Sequence, residues 1–346
     1  MQNRLTLKEI AKKLYLSPST ISAIINNNPS CFASKKTKQK VLEFIQKIGY
    51  TPNLIARSLK KQKTNTIGFV APFPTIDTSI LDIETIDKIL WEKGYRLLIG
   101  YSYGDNEKEE TNLKELYSRQ VDGIIIIPTG LNGENNFLKR LLNESFPIVS
   151  LTKIKGFNID VVSTDYKKGG YIATEYLIKT GHKNIGFYGG VVKYFTIRER
   201  FIGYQKALKK YGLTFNKNII SVSINQNDSK EKILTDCIKF ISGKHQNIDS
   251  IFASNDRIAS LLIKAAKEKN IKIPEDISII GFDDSEFIGY CSLGLTTIRQ
   301  PTEKISTIAL NLLLDKIEGK RKQSKTVLLK PELIIRNSIS SRTTKD

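Results

Sequence analysis

The sequence predicts an α/β protein: a small all-α helix-turn-helix head followed by a two-lobed core of parallel sheets flanked by helices. Three observations predict it. The 346 residues provide for about two domains with ample material for a core. Positive charge is concentrated at the amino terminus, where residues 1–63 hold 13 Lys and Arg against two acids, Glu9 and Glu43, and so carry +11 of the net +19. From Thr66 onward, short β-rich runs alternate with amphipathic helical patterns, as strand–helix units of parallel sheets do.

In the head, Leu7, Ile10, Ala11 and Leu14 recur at i, i+3, i+4 and i+7 and share one face of a short helix. Ser17 is a good N-cap, Pro18 suits the first helical position, and Ile21, Ile24 and Ile25 form the next apolar stripe. Only Tyr15 and Leu16 separate the two helices, the length of a helix-turn-helix connection. A third stripe of Val41, Phe44, Ile45 and Ile48 stops at Gly49. In this geometry the second helix enters the major groove of DNA, which places Pro18, Ser19, Thr20, Ser22 and Ala23 nearest the bases. Short hydroxyl side chains can bond to phosphate or base edges, and the Ala23 methyl can meet a thymine methyl. The dense positive charge fits a phosphate-backbone partner, the bland alternative being a solvated Lys-rich surface. After Gly49 comes YTPNLIARSLKKQKTNT, in which Pro52 can open a helix too short to be stable alone.

In the core, TIGFVAP, YRLLIGYS, VDGIIIIPT and FPIVSLT read as buried strands, with helices near 79–93, 107–119 and 134–143. A second set follows, KNIGFYGG, NIISVSI, SIFASND and ISIIGFDD, with helices near 167–180, 198–211, 229–242 and 256–269. Open α/β sheets bind ligands at the carboxyl ends of their strands. That rule selects Pro72, Phe73, Tyr101, Thr129, Thr152, Asn255, Asp256, Asp283 and Asp284, with Arg198 and Arg200 early in the helix after KNIGFYGG. Arg, Asn and Asp around an apolar or aromatic wall suit the vicinal hydroxyls and ring face of a sugar.

Other classes are disfavoured. A hydrophobic fraction of 40% with 9% aromatics argues against disorder, and apolar runs such as Gly123–Ile127 are far short of the roughly 20 residues that span a bilayer. The start, MQNRLTLKEIAKKL, has no export signal pattern, and Cys31, Cys237 and Cys291 form no disulfide framework, so a cytoplasmic location is expected. Of the two histidines, His182 in the GH pair reads as structural and His245 falls in a polar loop, with no cysteine pair nearby to build a zinc site. With no GxSxG element and no P-loop, neither an enzyme nor a cofactor or metal is expected. A hydrolase using Asp283 and Asp284 is a poor alternative, because neighbours at a strand end point in opposite directions. A ligand-capture module serving transport is a second alternative, opposed by the basic head.

LTLKEIAKKLYLSPSTISAIINN followed by IGYTPNLIARSLKKQKTNTIGFV resembles the head and hinge of the lactose-repressor/galactose-repressor (LacI) family of bacterial transcription regulators. GHKNIGFYGG, RERFIGY, SIFASNDRIA, IPEDISIIGFDD, LGLTTIRQP and LLKPELIIRNS extend the resemblance through the chain in the family's order. It implies a periplasmic-binding-protein-like core that dimerises and closes around a small effector, and a hinge helix in the minor groove with Leu59 as an apolar wedge beside Ala56. The implied DNA-facing set is Thr6, Ser17, Pro18, Ser19, Thr20, Ser22, Ala23, Asn26, Asn53, Ala56, Arg57, Leu59 and Lys60. The implied effector set is Phe73, Tyr101, Thr129, Thr152, Arg200, Asn255 and Asp283, with Arg200 and Asp283 matching the family's effector-binding arginine and aspartate. The expected domains are a 1–49 head, a 50–64 hinge and linker, and a 65–346 core. Its N-subdomain would be about 65–164 with 300–329, and its C-subdomain about 165–299 with 330–341.

Three positions depart from the family pattern. Ala23 replaces a base-reading Arg or His, Tyr15 stands at a turn position often held by glycine, and the NNNPSCFASKK loop is about two residues longer. A positive φ at Tyr15 would cost about 1–2 kcal/mol. In the core, no aromatic residue lies between Ile224 and Ile233, and Thr152 occupies a position that is often aspartate. The resulting expectation is a repressor that binds a palindromic double-stranded DNA operator as a homodimer, away from membranes, under a sugar-like effector. A purine or a protein corepressor is the alternative controller. The tail RNSISSRTTKD has no leucine heptad for a tetramer.

Overall fold

The computed structural model describes residues 5–26, 28–50, 63–72, 77–129, 135–190, 194–224, 228–243, 247–286 and 293–342. The sequence-predicted hinge residues Asn53, Ala56, Arg57, Leu59 and Lys60 lie outside the described residues, as do Phe73, His245 and Cys291. The chain divides into two units, Met1–Thr64 and Asn65–Asp346.

The first unit is three helices held by their caps. Helix α1 (Leu7–Leu14) begins with a reciprocal capping box: Thr6 Oγ1 accepts from the Glu9 amide, and the Glu9 carboxylate accepts from the Thr6 amide at 2.6 Å. That backbone donor holds the exposed Glu9 carboxyl below its usual range. Helix α2 (Pro18–Ile25) is capped by Ser17, whose oxygen accepts from the Thr20 amide at 3.0 Å. Ser34 caps α3 (Lys35–Ile48), which stops at Gly49 with φ 60°. Ile10, Ala11, Leu14, Ile21, Ile24 and Val41 bury together as its core. Tyr15, between α1 and α2, adopts the left-handed conformation at φ 56° and ψ 40°. The turn therefore imposes the glycine-favouring geometry on an exposed tyrosine, with the expected backbone cost.

The second unit opens with β1 (Thr66–Ala71), α4 (Asp77–Glu92), β2 (Arg96–Tyr101), α5 (Asn106–Ser118), β3 (Gly123–Ile126), α6 (Asn136–Asn143), β4 (Ile148–Ser150) and β5 (Asp160–Thr164). It continues with α7 (Tyr166–Lys179), β6 (Ile185–Gly190), α8 (Phe195–Lys210), β7 (Ile220–Ile224), α9 (Lys230–Ser242), β8 (Ser250–Ala253), α10 (Asp256–Glu268), β9 (Ser278–Ile280) and β10 (Thr297–Arg299). It ends with α11 (Thr302–Ile317), β11 (Thr326–Leu329) and β12 (Glu332–Ile334).

Two sheets define two lobes. The first has strand order β11-β5-β4-β3-β1-β2, all parallel, and the second β7-β6-β8-β9, also parallel. The first sheet is covered on both faces at its centre, which is why β1, β3 and β4 are nearly continuous apolar runs. Ile67, Phe69, Ile125 and Val149 pack with Ile86, Leu90, Leu310 and Leu313 on one side. Val70, Ile124, Ile126 and Ile148 pack with Leu113, Leu116, Leu138 and Leu141 on the other. After β10 the chain returns to the first lobe to supply α11 and β11, then rejoins the second through the antiparallel β10–β12 pair.

In the second lobe, α7 and α8 cross at backbone contact. A Cβ added to Gly170 would lie 2.1 Å from the Arg200 carbonyl oxygen, and one on Gly203 would lie 2.1 Å from that of Lys167. These glycines let α8 approach closely enough to fix the position of Arg200. The sequence patterns located eight strands; β5, β10, β11 and β12 were not among them. ISIIGFDD is strand only through Ile280, and Asp283 and Asp284 have φ 122° and 57°. The strand-end alternation expected for these two acids is broken by two successive residues of positive φ.

Candidate functional site

The head presents a hydroxyl cluster at the start of α2. Ser17 Oγ lies 2.7 Å from Ser19 Oγ and 2.8 Å from Thr20 Oγ1, with Ser17, Pro18 and Ser19 exposed. Helix α2 has no acid in its first turn, so its positive dipole end is not offset there, although Ser17 already takes up the Thr20 and Ile21 amides. Ser22 and Ala23 are half-buried, while exposed Asn26 donates from its side chain to the Ser22 carbonyl at 2.7 Å. Thr6 is exposed at the start of α1, where its side chain also serves as the cap. This surface can offer hydroxyls and backbone donors to phosphates and small contacts to base edges.

In the second unit, the carboxyl ends of both sheets converge on a cavity of about 140 Å³. Thr129, Thr152, Arg200, Asn255 and Asp283 all line it. Tyr101 does not: it ends the edge strand β2, and its ring centroid lies 6.4 Å from that of Tyr103. The sequence reading passed over Asp82, Lys153, Tyr166, Tyr194, Phe195 and Gln300, which also line the cavity. Tyr166 and Gln300 follow strands β5 and β10, so recognising those strands would have found both. Asp82 is in helix α4 and no strand-end rule points to it.

The second lobe contributes an ion pair. Arg200 Nη2 donates to Asp283 Oδ1 at 3.2 Å, Arg200 Nη1 donates to the Ser254 carbonyl, and the guanidinium lies 3.8 Å from the Phe282 ring centroid. Both charged side chains are largely buried, at 7% and 12% exposure. Arg200 Nε is buried with no hydrogen-bond partner. Asp283 also accepts from Gln300 Nε2 at 2.8 Å, and Gln300 Oε1 accepts from the Thr164 hydroxyl at 2.6 Å. Asn255 Oδ1 caps α10 by accepting from the Ile258 amide at 2.9 Å, which leaves its amide hydrogens as what it can offer a ligand. Asp256 is fully buried and does not line the cavity; burial and the neighbouring Asp283 push its carboxyl up to about 7 while Thr297 and the Ser285 amide bond to it.

The first lobe contributes a different set. The Thr129 hydroxyl donates to Asn106 Oδ1 at 2.6 Å and its amide to Glu109 at 2.7 Å, and burial raises the Glu109 carboxyl. Thr152 Oγ1 is buried with no hydrogen-bond partner. Asp82 accepts from the Ser306 hydroxyl at 2.6 Å, and burial pushes its carboxyl up to about 7 despite that bond. Tyr166 stands among the charges; burial pushes its phenol up to about 12, Arg200 lowers it, and Asp283 and Asp82 raise it.

His182 joins the core as expected of a structural residue, with Nε2 2.8 Å from Ser278 Oγ and Nδ1 3.0 Å from the Leu177 carbonyl oxygen. Among the described residues, no helix is long and apolar enough to cross a membrane.

Residues 6–53 match the family described as "Bacterial regulatory proteins, lacI family", and residues 174–339 match the "Periplasmic binding protein-like domain". The HTH-type transcriptional repressor PurR of Histophilus somni (strain 2336) is 32% identical over 340 residues, covering 97% of this chain and 99% of the relative. PurR of Klebsiella pneumoniae (strain 342) is 30% identical, with 97% of each chain covered. The solved lac repressor dimer bound to operator and the anti-inducer ONPF superposes with a TM-score of 0.85 at 21% identity, covering 98% of this chain and 100% of that one. A LacI family regulator from Enterococcus faecium with bound ribose has a TM-score of 0.69 at 26% identity, with 80% of this chain and 100% of that one covered. With a capped helix-turn-helix head, a two-sheet core and relatives that match from end to end, the chain belongs to the LacI family of DNA-binding transcriptional repressors.

Proposed function

We propose that the chain is a cytoplasmic repressor that binds a palindromic operator as a homodimer and is controlled by a sugar or sugar derivative held between the lobes of its core. The observation that carries the effector assignment is the Arg200–Asp283 pair in the cavity, with Thr152 and Asn255 beside it and the Tyr166 ring for a sugar face. A purine is the alternative effector, favoured by the same aromatic lining of Tyr166, Tyr194 and Phe195. A non-catalytic role fits Asp283 and Asp284, the neighbouring acids that a hydrolase would use. Asp283 is held by Arg200 and Gln300, and Asp284 by Arg299 and Arg336 at 2.6 Å each, so neither is poised as an acid or base.

On DNA, Ser17, Pro18, Ser19, Thr20, Ser22, Ala23 and Asn26 would face the major groove, with Thr6 at its edge. Asn53, Ala56, Arg57, Leu59 and Lys60 would form the minor-groove hinge. Two recognition helices would sit about 34–36 Å apart on the duplex. Fluorescence binding to a selected palindrome is the test. Leu59→Ala should lower affinity and DNA bending, and unchanged values would refute the wedge. For the core, thermal shift with sugars and nucleobases should identify a ligand whose effect Arg200→Ala abolishes. A ligand insensitive to that change would place the effector elsewhere.

A further inference from the structure

The two acids of the cavity are partnered differently. On the second lobe, Arg200 is matched by Asp283. On the first lobe, Asp82 is 5% exposed and reaches the cavity from α4, and its hydrogen-bond partner among the described residues is a neutral hydroxyl, Ser306. Ser306 of α11 bonds to it, Tyr166 at the start of α7 is near enough for its charge to act on the phenol, and Pro72, Thr302 and Ile305 share the cavity lining with it. Lys153, after β4, is an exposed residue at the cavity and has no described ion pair with Asp82. When Asp82 ionises it therefore has no ion-pair partner of its own among the described residues.

We propose that Asp82 is a specificity-determining residue that selects an effector carrying a protonated amine, of the amino-sugar class. This rests on the reading of the cavity as the effector site. A hydroxyl donated to Asp82 would satisfy an oxygen but leave the net charge buried, which is costly. An ammonium gives the same hydrogen bond with charge assistance and supplies the counter-charge at Asp82 itself. Thr152 Oγ1 and Arg200 Nε, both buried without partners, remain for the ring hydroxyls. Burial raises the Asp82 carboxyl to about 7, which is what a carboxylate lacking a cation shows and what an incoming ammonium would reverse.

The experiment is calorimetric titration of the full chain at pH 7.5 with D-glucosamine, D-galactosamine and D-mannosamine, each against its parent hexose. Wild type, Asp82→Asn and Arg200→Ala are compared, with DNA binding and thermal unfolding as checks on folding. The expected result is that at least one amine binds about tenfold or more tightly than its hexose. Asp82→Asn should bring the amine and its hexose to equal affinity, and Arg200→Ala should weaken both. A hexose that binds as tightly as its amine, or a preference that survives Asp82→Asn, overturns the role of Asp82 and leaves the effector cavity standing. Binding that ignores Arg200→Ala overturns the cavity reading and the Asp82 proposal together, whereas no binding by any of these sugars overturns the Asp82 proposal and leaves the cavity to the purine reading.

Discussion

The two walls of the cavity are built on opposite principles. The second lobe presents Arg200 and Asp283 already paired, backed by the Phe282 ring and set by a helix crossing at backbone contact. Among the described residues, the first lobe presents Asp82 with a single neutral partner and Thr152 with an unsatisfied hydroxyl. The difference teaches where each lobe holds its free energy. One wall is a settled anchor whose removal is costly. The other carries desolvated groups whose removal would relieve the unliganded protein.

The sharpest way to break this contrast is a pair of near-isosteric changes with opposite signs. Asp82→Asn should stabilise the unliganded chain at pH 8 by about 4 kcal/mol, the worth of a carboxyl raised about three units above its unfolded value. The folded value lies above the unfolded one, so the penalty is absent below about pH 4, grows as pH rises, and is complete above about pH 7. Urea unfolding at pH 4.5 and 8 should show the gain shrinking toward the acid side. Asp283→Asn should instead destabilise by about 3 kcal/mol, because it leaves the Arg200 charge without its partner. Equal signs for the two would erase the distinction.

Smaller effects test how rigid each wall is. Gly203→Ala should cost about 3 kcal/mol, since its new methyl meets a backbone oxygen that cannot move aside. Gly68→Ala in β1 should cost about 1 kcal/mol, because the nearest atom, 2.9 Å away, is the far end of the Leu116 side chain. Comparable unfolding midpoints for the two variants would show that the lobes yield equally. The mildest change is Thr152→Val, which deletes a buried hydroxyl without a partner and should stabilise by about 1 kcal/mol. A loss of stability there would mean that the hydroxyl is already satisfied.

Legibility in the sequence followed the range of the interactions. Helices of the head could be read because caps and apolar stripes are local: Thr6, Ser17 and Ser34 each sit within three residues of the amide they satisfy. The left-handed Tyr15 was legible through resemblance alone, since nothing in its own chemistry asks for a positive φ. Long apolar runs such as GIII were legible as buried strands. By contrast, β11 has alternating exposure and pairs with β5, some 165 residues earlier in the case of Lys325 and Asp160, and no local pattern announces that partner. Asn255 and Asp283 were found because strand ends mark them, and Arg200 because it lies early in the helix after one and matches the family's arginine. Asp82 was missed because an acid in an amphipathic helix looks like a solvent-facing residue until α11, from more than 200 positions away, covers it with Ser306.

Gln300 joins the two walls with a fixed polarity. Its carbonyl end accepts from Thr164 at the close of β5, and its amino end donates to Asp283. A primary amide turned end for end would still find a hydroxyl at Thr164 but would set oxygen against a carboxylate at Asp283. The charge on Asp283 therefore acts as a ratchet on this side chain, allowing one orientation and penalising the other. Any ligand that withdraws that charge, by drawing Asp283 toward itself, also removes the reason for Gln300 to keep its direction, and the crossing between lobes becomes free to choose again.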